Sequence, residues 1–350
     1  MTIQIKREPT ETLMRDIIAK IAVGPNRGKD LTKSEAYKAT KAILTGDADE
    51  THAALFLIGL RMKSESLLEY AGILKALIEF TPQIEIDLPQ LAYIAEPYDG
   101  YSRSTPVTPY VPAVLAACGL PTIIQGVQSI GPKFGITAHQ TYQANNMPVD
   151  LSLKQASKLL HKNNCGWAYL DQSVFCPKLF NLRLFRDKMV KRTALTTLER
   201  LLMPIKAKSN HLAIGYVHKA YPKIYGAMAN LSGFDNSLLI KGLEGGISPS
   251  LNKPLRTYFM EENILSKKGI DETPVGLMRL HTGTKTRRSI RLAPINTVLK
   301  EPNSAKYQML IATSAPILSK AKNIPINRAV ALIKVALESG EAEKRFNNLK

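Results

Sequence analysis

Apolar residues recur at three- and four-residue spacing over residues 13–22 and again over 34–44, and this period predicts two amphipathic helices. Thr32 with Glu35 three positions later predicts a capping box at the start of the second, and Gly46-Asp47 predicts its end. Residues 50–62, ETHAALFLIGLRM, are apolar on nearly every face, which predicts a buried helix; residues 65–80 return to an amphipathic pattern. These four helices predict a small helical domain over 1–85. After Pro82 the pattern changes to short apolar runs at 91–95, 122–124, 213–217 and 237–240, separated by helical stretches. Such alternation predicts an α/β fold with a mainly parallel sheet over 86–350.

In sheets of that kind, ligands sit in the loops that leave the carboxyl ends of the strands. The loop after the 91–95 run has that position. A loop that cradles phosphate presents free backbone N–H groups, usually with several glycines. Here Gly100 stands alone among Pro97, Tyr98, Asp99, Tyr101, Arg103, Pro106 and Pro109. The loop therefore has the place of a phosphate loop and the chemistry of a stiffened, filled one. An ordinary strand-to-helix connection is the competing reading.

Charge changes the picture more than composition does. Against 47 Lys plus Arg the chain carries 29 Asp plus Glu, a net +18. Residues 1–90 hold 12 basic and 13 acidic side chains and residues 91–350 hold 35 and 16, so the whole surplus lies in the second region. A one-sided field of that size attracts polyanions. Three cysteines without a CxxC pair, and six scattered histidines, give no support to a disulfide framework or a protein-built metal site. No run reaches membrane-spanning length and no signal-peptide core opens the chain, which points to a cytoplasmic location without membrane contact.

The segment GKDLTKSEAYKATKAILTGDADETHAALFLIGLRMKSES resembles the N-terminal helical domain of the anthranilate phosphoribosyltransferase and class-II nucleoside phosphorylase superfamily, glycosyltransferase family 3. The match rests on Leu31, Thr32, Glu35, Ala36, Ile43, Leu44, Gly46, Phe56, Leu57, Leu60, Arg61, Lys63 and Glu65, with Ser64 where the family prefers glycine. Further matches are the strand at Gly166-Trp167-Ala168-Tyr169, a helical pair over 177–202, and two closing helices over 307–346 ending in Ala-Leu-Glu-Ser-Gly-Glu-Ala. The resemblance implies a helical domain that carries a homodimer contact, and a transferase site built from three motifs.

Placed by order and spacing, those motifs have changed here. Where the family has GTGGD, this chain has Glu96-Pro97-Tyr98-Asp99-Gly100; proline lacks an N–H, tyrosine narrows the approach and Glu96 repels pyrophosphate. The KHGN position reads Gln125-Gly126-Val127-Gln128, without a cation. The magnesium-holding D-E pair is reduced to Glu244, where magnesium shared with pyrophosphate wants two or more protein oxygens. Arg186, in the family's acceptor site, survives, while TLERLLMP over 197–204 and the PYDG loop resemble a homologue branch that binds nucleic acid. The expected function is thus a dimeric nucleic-acid-binding protein without the parent activity or a cofactor. The alternative is a phosphoribosyltransferase or phosphorylase with an altered donor site, using magnesium, with Asp99, Arg103, Gln125, Arg186 and Glu244 lining the cleft; the positions equivalent to the family's cleft residues are Asp99, Gly100, Gln125, Gly126 and Glu244. Candidate anion or nucleic-acid contacts are Arg103, Arg186, Lys188, Lys191 and Arg192, and a cation-dense loop with Lys285, Arg287, Arg288 and Arg291.

Overall fold

A computed structural model of the chain describes residues 8–24, 27–251, 254–261, 264–266 and 292–349. The chain divides into two units: Met1–Pro82 with Cys176–Leu202, and Gln83–Phe175 with Met203–Lys350.

The first unit holds the four expected helices, Pro9–Ile21, Lys33–Thr45, Glu50–Lys63 and Leu67–Glu79. Their ends are written locally. The Glu35 amide donates to Thr32 Oγ1 and the Thr32 amide donates to Glu35 Oε2 at 2.7 Å, closing the capping box, and Gly46 ends the helix at φ 84°. A second box joins Ser66 and Glu69. Glu69 is fully buried and also accepts from the Leu31 amide (2.8 Å) and Lys63 Nζ (2.9 Å), so one carboxylate ties three chain segments together.

Three expectations need correction. The Glu50–Lys63 helix is buried on one face only: Phe56, Leu57 and Leu60 are inside, but Leu55 is 48% and Met62 78% exposed. The second concerns the domain limits, because Cys176–Leu202 belongs with the helical unit although it lies far along the chain. Nor is that segment a helical pair: Pro177–Asn181, Arg183–Lys188 and Ala194–Leu198 are short pieces, with Val190 turning the chain at φ 61°.

The second unit is built on a seven-stranded sheet. Its spatial order is Trp167–Asp171, Thr122–Gly126, Leu91–Ala95, Asn210–Tyr216, Asn236–Lys241, Thr257–Glu261 and Ile264–Ser266. The first five are parallel and the last two antiparallel. Every residue of Leu91–Ala95, Thr122–Gly126 and Trp167–Asp171 is buried, which is why these strands read as continuous apolar runs and not as alternations. Parallel pairing brings all five carboxyl ends to one edge, and in register it sets Ala95 beside Gln125 and Gly126 beside Asp171.

Three helices close the chain, Ala305–Ala321, Ile326–Glu338 and Glu341–Asn347, where two were expected; Gly340 at φ 76° separates the last pair. Phe346 of the last helix stacks on Tyr110 (centroids 4.8 Å apart) and Trp167 (5.8 Å), and Trp167 Nε1 donates to the Arg345 carbonyl. Such aromatic pairs are worth about 0.5–1.5 kcal/mol each beyond area burial, so the C-terminus helps close the sheet's core. Among the described residues no helix is long and apolar enough to cross a membrane.

Candidate functional site

The loop that follows Leu91–Ala95 is a packed structure. Glu96, Tyr98, Asp99 and Tyr101 are all buried. Glu96 Oε2 accepts from Tyr101 Oη and Thr108 Oγ1, each at 2.6 Å. The loop is also stitched to residues 135–136: the Gly135 amide donates to the Asp99 carbonyl, and Tyr101 and Ile136 exchange two backbone hydrogen bonds. Gly100, at φ 72°, packs against the Gly135 and Ile136 backbone with no room for a Cβ, so glycine is required at this one point.

Just beyond, the chain does present a run of free-standing amides, and it fills them itself. Glu244 Oε1 accepts from the Arg103 and Ser104 amides (2.9 Å each) and Ser104 Oγ (2.8 Å). Its Oε2 accepts from the Ser102 amide (3.0 Å) and Ser102 Oγ (3.2 Å). Lys133 Nζ lies 3.6 Å from the same carboxylate and 3.4 Å from Asp99 Oδ1. Successive amides of this kind form an anion-binding concavity. Burial works to raise the Glu244 pKa, but the Ser102 amide, the Ser104 hydroxyl, the Arg103 amide and Lys133 outweigh it and hold the carboxyl below its ordinary range. Glu244 sits at φ 52°, a conformation that costs a non-glycine residue of order 1–3 kcal/mol and persists where the surroundings over-determine it. Five hydrogen bonds do so here.

Arg186 has been answered in the same manner. Its guanidinium, expected to hold an anion, is buried and grips Glu199 bidentately, Nη1–Oε2 2.6 Å and Nη2–Oε1 2.8 Å, with Thr196 Oγ1 at 3.2 Å. It is committed to the core of the helical unit and is not a surface contact. Lys188 is exposed and pairs with Glu50 at 3.0 Å; Lys191 and Arg192 are exposed. Arg103 is exposed and points its Nε to 3.9 Å from Glu244. Lys285, Arg287, Arg288 and Arg291 lie outside the described residues.

Gln125 and Gly126 end a fully buried strand, as expected for residues at the carboxyl edge. Beside them stands a network the sequence did not suggest. Asp171 accepts from His139 Nδ1 (2.8 Å), Tyr169 Oη (2.8 Å) and the Ser173 amide (2.9 Å). Burial raises the Asp171 pKa, but the His139 and Ser173 contacts outweigh it and leave it below the usual range. An acidic residue closing an apolar strand was the available signal for Asp171; nothing in the sequence tied His139 to it.

No group of three or more His, Cys, Asp or Glu side chains among the described residues could hold a metal. The residues present do not fit magnesium held jointly with pyrophosphate: Glu96 is turned to Tyr101 and Thr108, and both Glu244 oxygens are taken by the loop.

Residues 15–81 match the glycosyl transferase family, helical bundle domain. The chain is 28% identical over 323 residues to an anthranilate phosphoribosyltransferase of Saccharolobus islandicus, spanning 91% of this chain and 85% of that one. It is 26% identical over 268 residues, 77% and 76% of the two chains, to the enzyme of that name from Caldivirga maquilingensis. The solved anthranilate phosphoribosyltransferase of Saccharomyces cerevisiae in complex with PRPP and Mg superposes with a TM-score of 0.76 over 97% of each chain, at 15% identity. The chain thus carries a helical bundle domain of the glycosyl transferase family at residues 15–81 and is similar over most of its length to anthranilate phosphoribosyltransferases, whose fold it shares. The occupied nest is the site's most telling feature, because a carboxylate of the chain itself fills the amides of residues 102–104.

Proposed function

We propose that this chain is a homodimeric nucleic-acid-binding protein that contacts the phosphate backbone and does not transfer phosphoribose. The observation that carries the negative half is the Glu244 carboxylate seated on the amides of residues 102–104. A second anion there would displace five hydrogen bonds and meet Glu96, Asp99 and Glu244, with Lys133 and Arg103 as the cations beside Glu244. The positive half is supported by the +19 balance of residues 91–350, since cations that neutralise phosphates release condensed counterions. Contacts of that kind fix position and carry little sequence information. Dimerisation is supported by the uncovered apolar side chains of the helical unit, Leu55, Met62 and Leu68.

The second reading is a phosphoribosyltransferase with an altered donor site, and the names of the sequence relatives favour it. One experiment separates the two. Mobility shift of single- and double-stranded oligonucleotides is measured at about 50 and about 200 mM salt, where backbone binding by 6–10 contacts loses roughly 10³–10⁵ in affinity. The same preparation is titrated with phosphoribosyl pyrophosphate and assayed with anthranilate. Salt-sensitive shift without turnover is expected. Turnover at about 1 per second or faster, with no shift, would establish the transferase instead.

A further inference from the structure

The structure forms two aromatic groups on neighbouring stretches of chain, Tyr216 with Tyr258 and His218 with Tyr221 and Tyr225. The Asn210–Tyr216 strand ends on Tyr216, whose ring meets Tyr258 of the antiparallel Thr257–Glu261 strand, centroids 5.8 Å apart. The register explains the meeting: Tyr216 pairs with Lys241 and Tyr258 with Leu239, two positions back along the same strand, so both rings rise from one face. The loop and helix that follow add His218, Tyr221 and Tyr225, with His218–Tyr221 centroids at 6.3 Å and Tyr221–Tyr225 at 5.3 Å. Tyr216 and Tyr225 are buried; His218 is exposed, and Tyr221 and Tyr258 are half-exposed. Val217, 46% exposed, extends the apolar surface.

Four basic side chains neighbour these rings along the chain or in strand register. Lys219, Lys223, Lys241 and Arg256 are exposed, and among the described residues none of the four has a carboxylate within ion-pair distance. Other basic side chains of the same unit do: Lys206 pairs with Glu85, Lys208 with Asp87 and Lys300 with Glu343. Glu244, the nearest carboxylate in sequence to Lys241, is committed to residues 102–104. Among the described residues, then, the cations that neighbour the rings have no carboxylate paired to them.

We infer that His218, Tyr221 and Tyr258 form a stacking platform for the bases of single-stranded nucleic acid, with Lys219, Lys223, Lys241 and Arg256 tracking its phosphates. Half-exposed rings beside buried ones, with cations that have no carboxylate partner among the described residues, are what a strand with accessible bases can use and what a duplex, whose bases are already stacked, cannot. A surface built only for duplex backbone needs the cations and not the rings. The inference rests on the nucleic-acid reading and narrows it to single strands.

The test is fluorescence anisotropy with a thymidine homo-oligonucleotide and with a mixed-sequence duplex. The triple variant His218→Ala/Tyr221→Ala/Tyr258→Ala should lose about tenfold or more in affinity for the single strand and keep its duplex affinity, which also reports that it is folded. Tyr221→Phe/Tyr258→Phe keeps the rings and should bind the single strand as the natural chain does. Replacing Lys219, Lys223, Lys241 and Arg256 by glutamine should weaken single-strand binding and flatten its logarithmic salt slope by up to about three. A triple variant that holds the single strand undiminished overturns the platform and leaves the nucleic-acid reading standing. A natural chain that binds neither probe at low salt overturns both.

Discussion

The Ser104 backbone N–H donates to the Glu244 carboxylate at 2.9 Å across a separation of 140 residues, so a carboxylate from one strand end stoppers the amides beyond another. Arg186 and Glu199 likewise satisfy each other within the helical unit. At both places the charges are answered from within the chain.

Removing the stopper should restore the nest. Glu244→Ala is expected to bind inorganic pyrophosphate where the natural chain shows no heat of binding by titration calorimetry. It should also lose stability by about 0.5–1.5 kcal/mol, the net worth of an ordinary hydrogen bond, because the donors of exposed Ser102 and Arg103 and half-buried Ser104 are open to water once the carboxylate is gone. Equal titrations for the two proteins would show that something other than Glu244 excludes the anion.

Acid should undo the same contacts. Glu244 and Asp171 are both held below their ordinary pKa in the folded protein, so between the folded and unfolded values the unfolded chain binds more protons. Their contribution is complete above about pH 4–5, where the unfolded carboxyls are ionised, and is lost as pH falls through the folded values. Thermal unfolding of Glu244→Gln/Asp171→Asn should accordingly show a flatter pH dependence below about pH 5 than the natural chain. Parallel curves would mean that these carboxylates titrate alike in both states.

Local features were legible in the sequence and the site's wiring was not. Leu91–Ala95 emerges with the limits its apolar run predicts, and the Thr32–Glu35 box with the partners its spacing predicts, because both are decided within a few residues. Asp99, Gly100, Gln125 and Gly126 fall at the carboxyl edge because parallel topology puts every strand end there. What Glu244 and Arg186 do was hidden, since each depends on a partner brought near by tertiary packing. Broken helices at 177–198 hid the second: Arg186 and Glu199, thirteen apart, meet only because Val190 turns the chain between them. The uncovered face of Glu50–Lys63 was misread for the opposite reason. An all-round apolar pattern says that a surface is to be covered, and does not say by what.

That face gives the next expectation. Light scattering should return twice the 38.6 kDa chain mass at micromolar concentration, and Met62→Glu/Leu68→Glu should return the single mass without loss of helix content. Both side chains are well exposed in the isolated chain, so the charges cost the monomer little and fall on whatever covers them. A natural chain that stays monomeric would remove the dimer from the proposal.

Arg186 decides whether the surviving basic residue of the helical unit is a contact or a strut. Its guanidinium is 6% exposed and Glu199 not at all, so Arg186→Ala leaves a buried carboxylate without its counter-charge. Breaking a buried pair from one side typically costs about 3–5 kcal/mol. Exposed Lys191 and Arg192 have no such burial, and replacing them by alanine should change stability by less than about 0.5 kcal/mol. The binding readout runs the other way if the helical unit touches nucleic acid at all: Lys191→Ala/Arg192→Ala should flatten the salt slope by up to about two, while Arg186→Ala, kept below its melting temperature, should leave the slope unchanged. Denaturant titration and salt-dependent anisotropy on the two variants measure both quantities. An Arg186→Ala protein as stable as the natural chain but with a reduced slope would return this guanidinium to the binding surface.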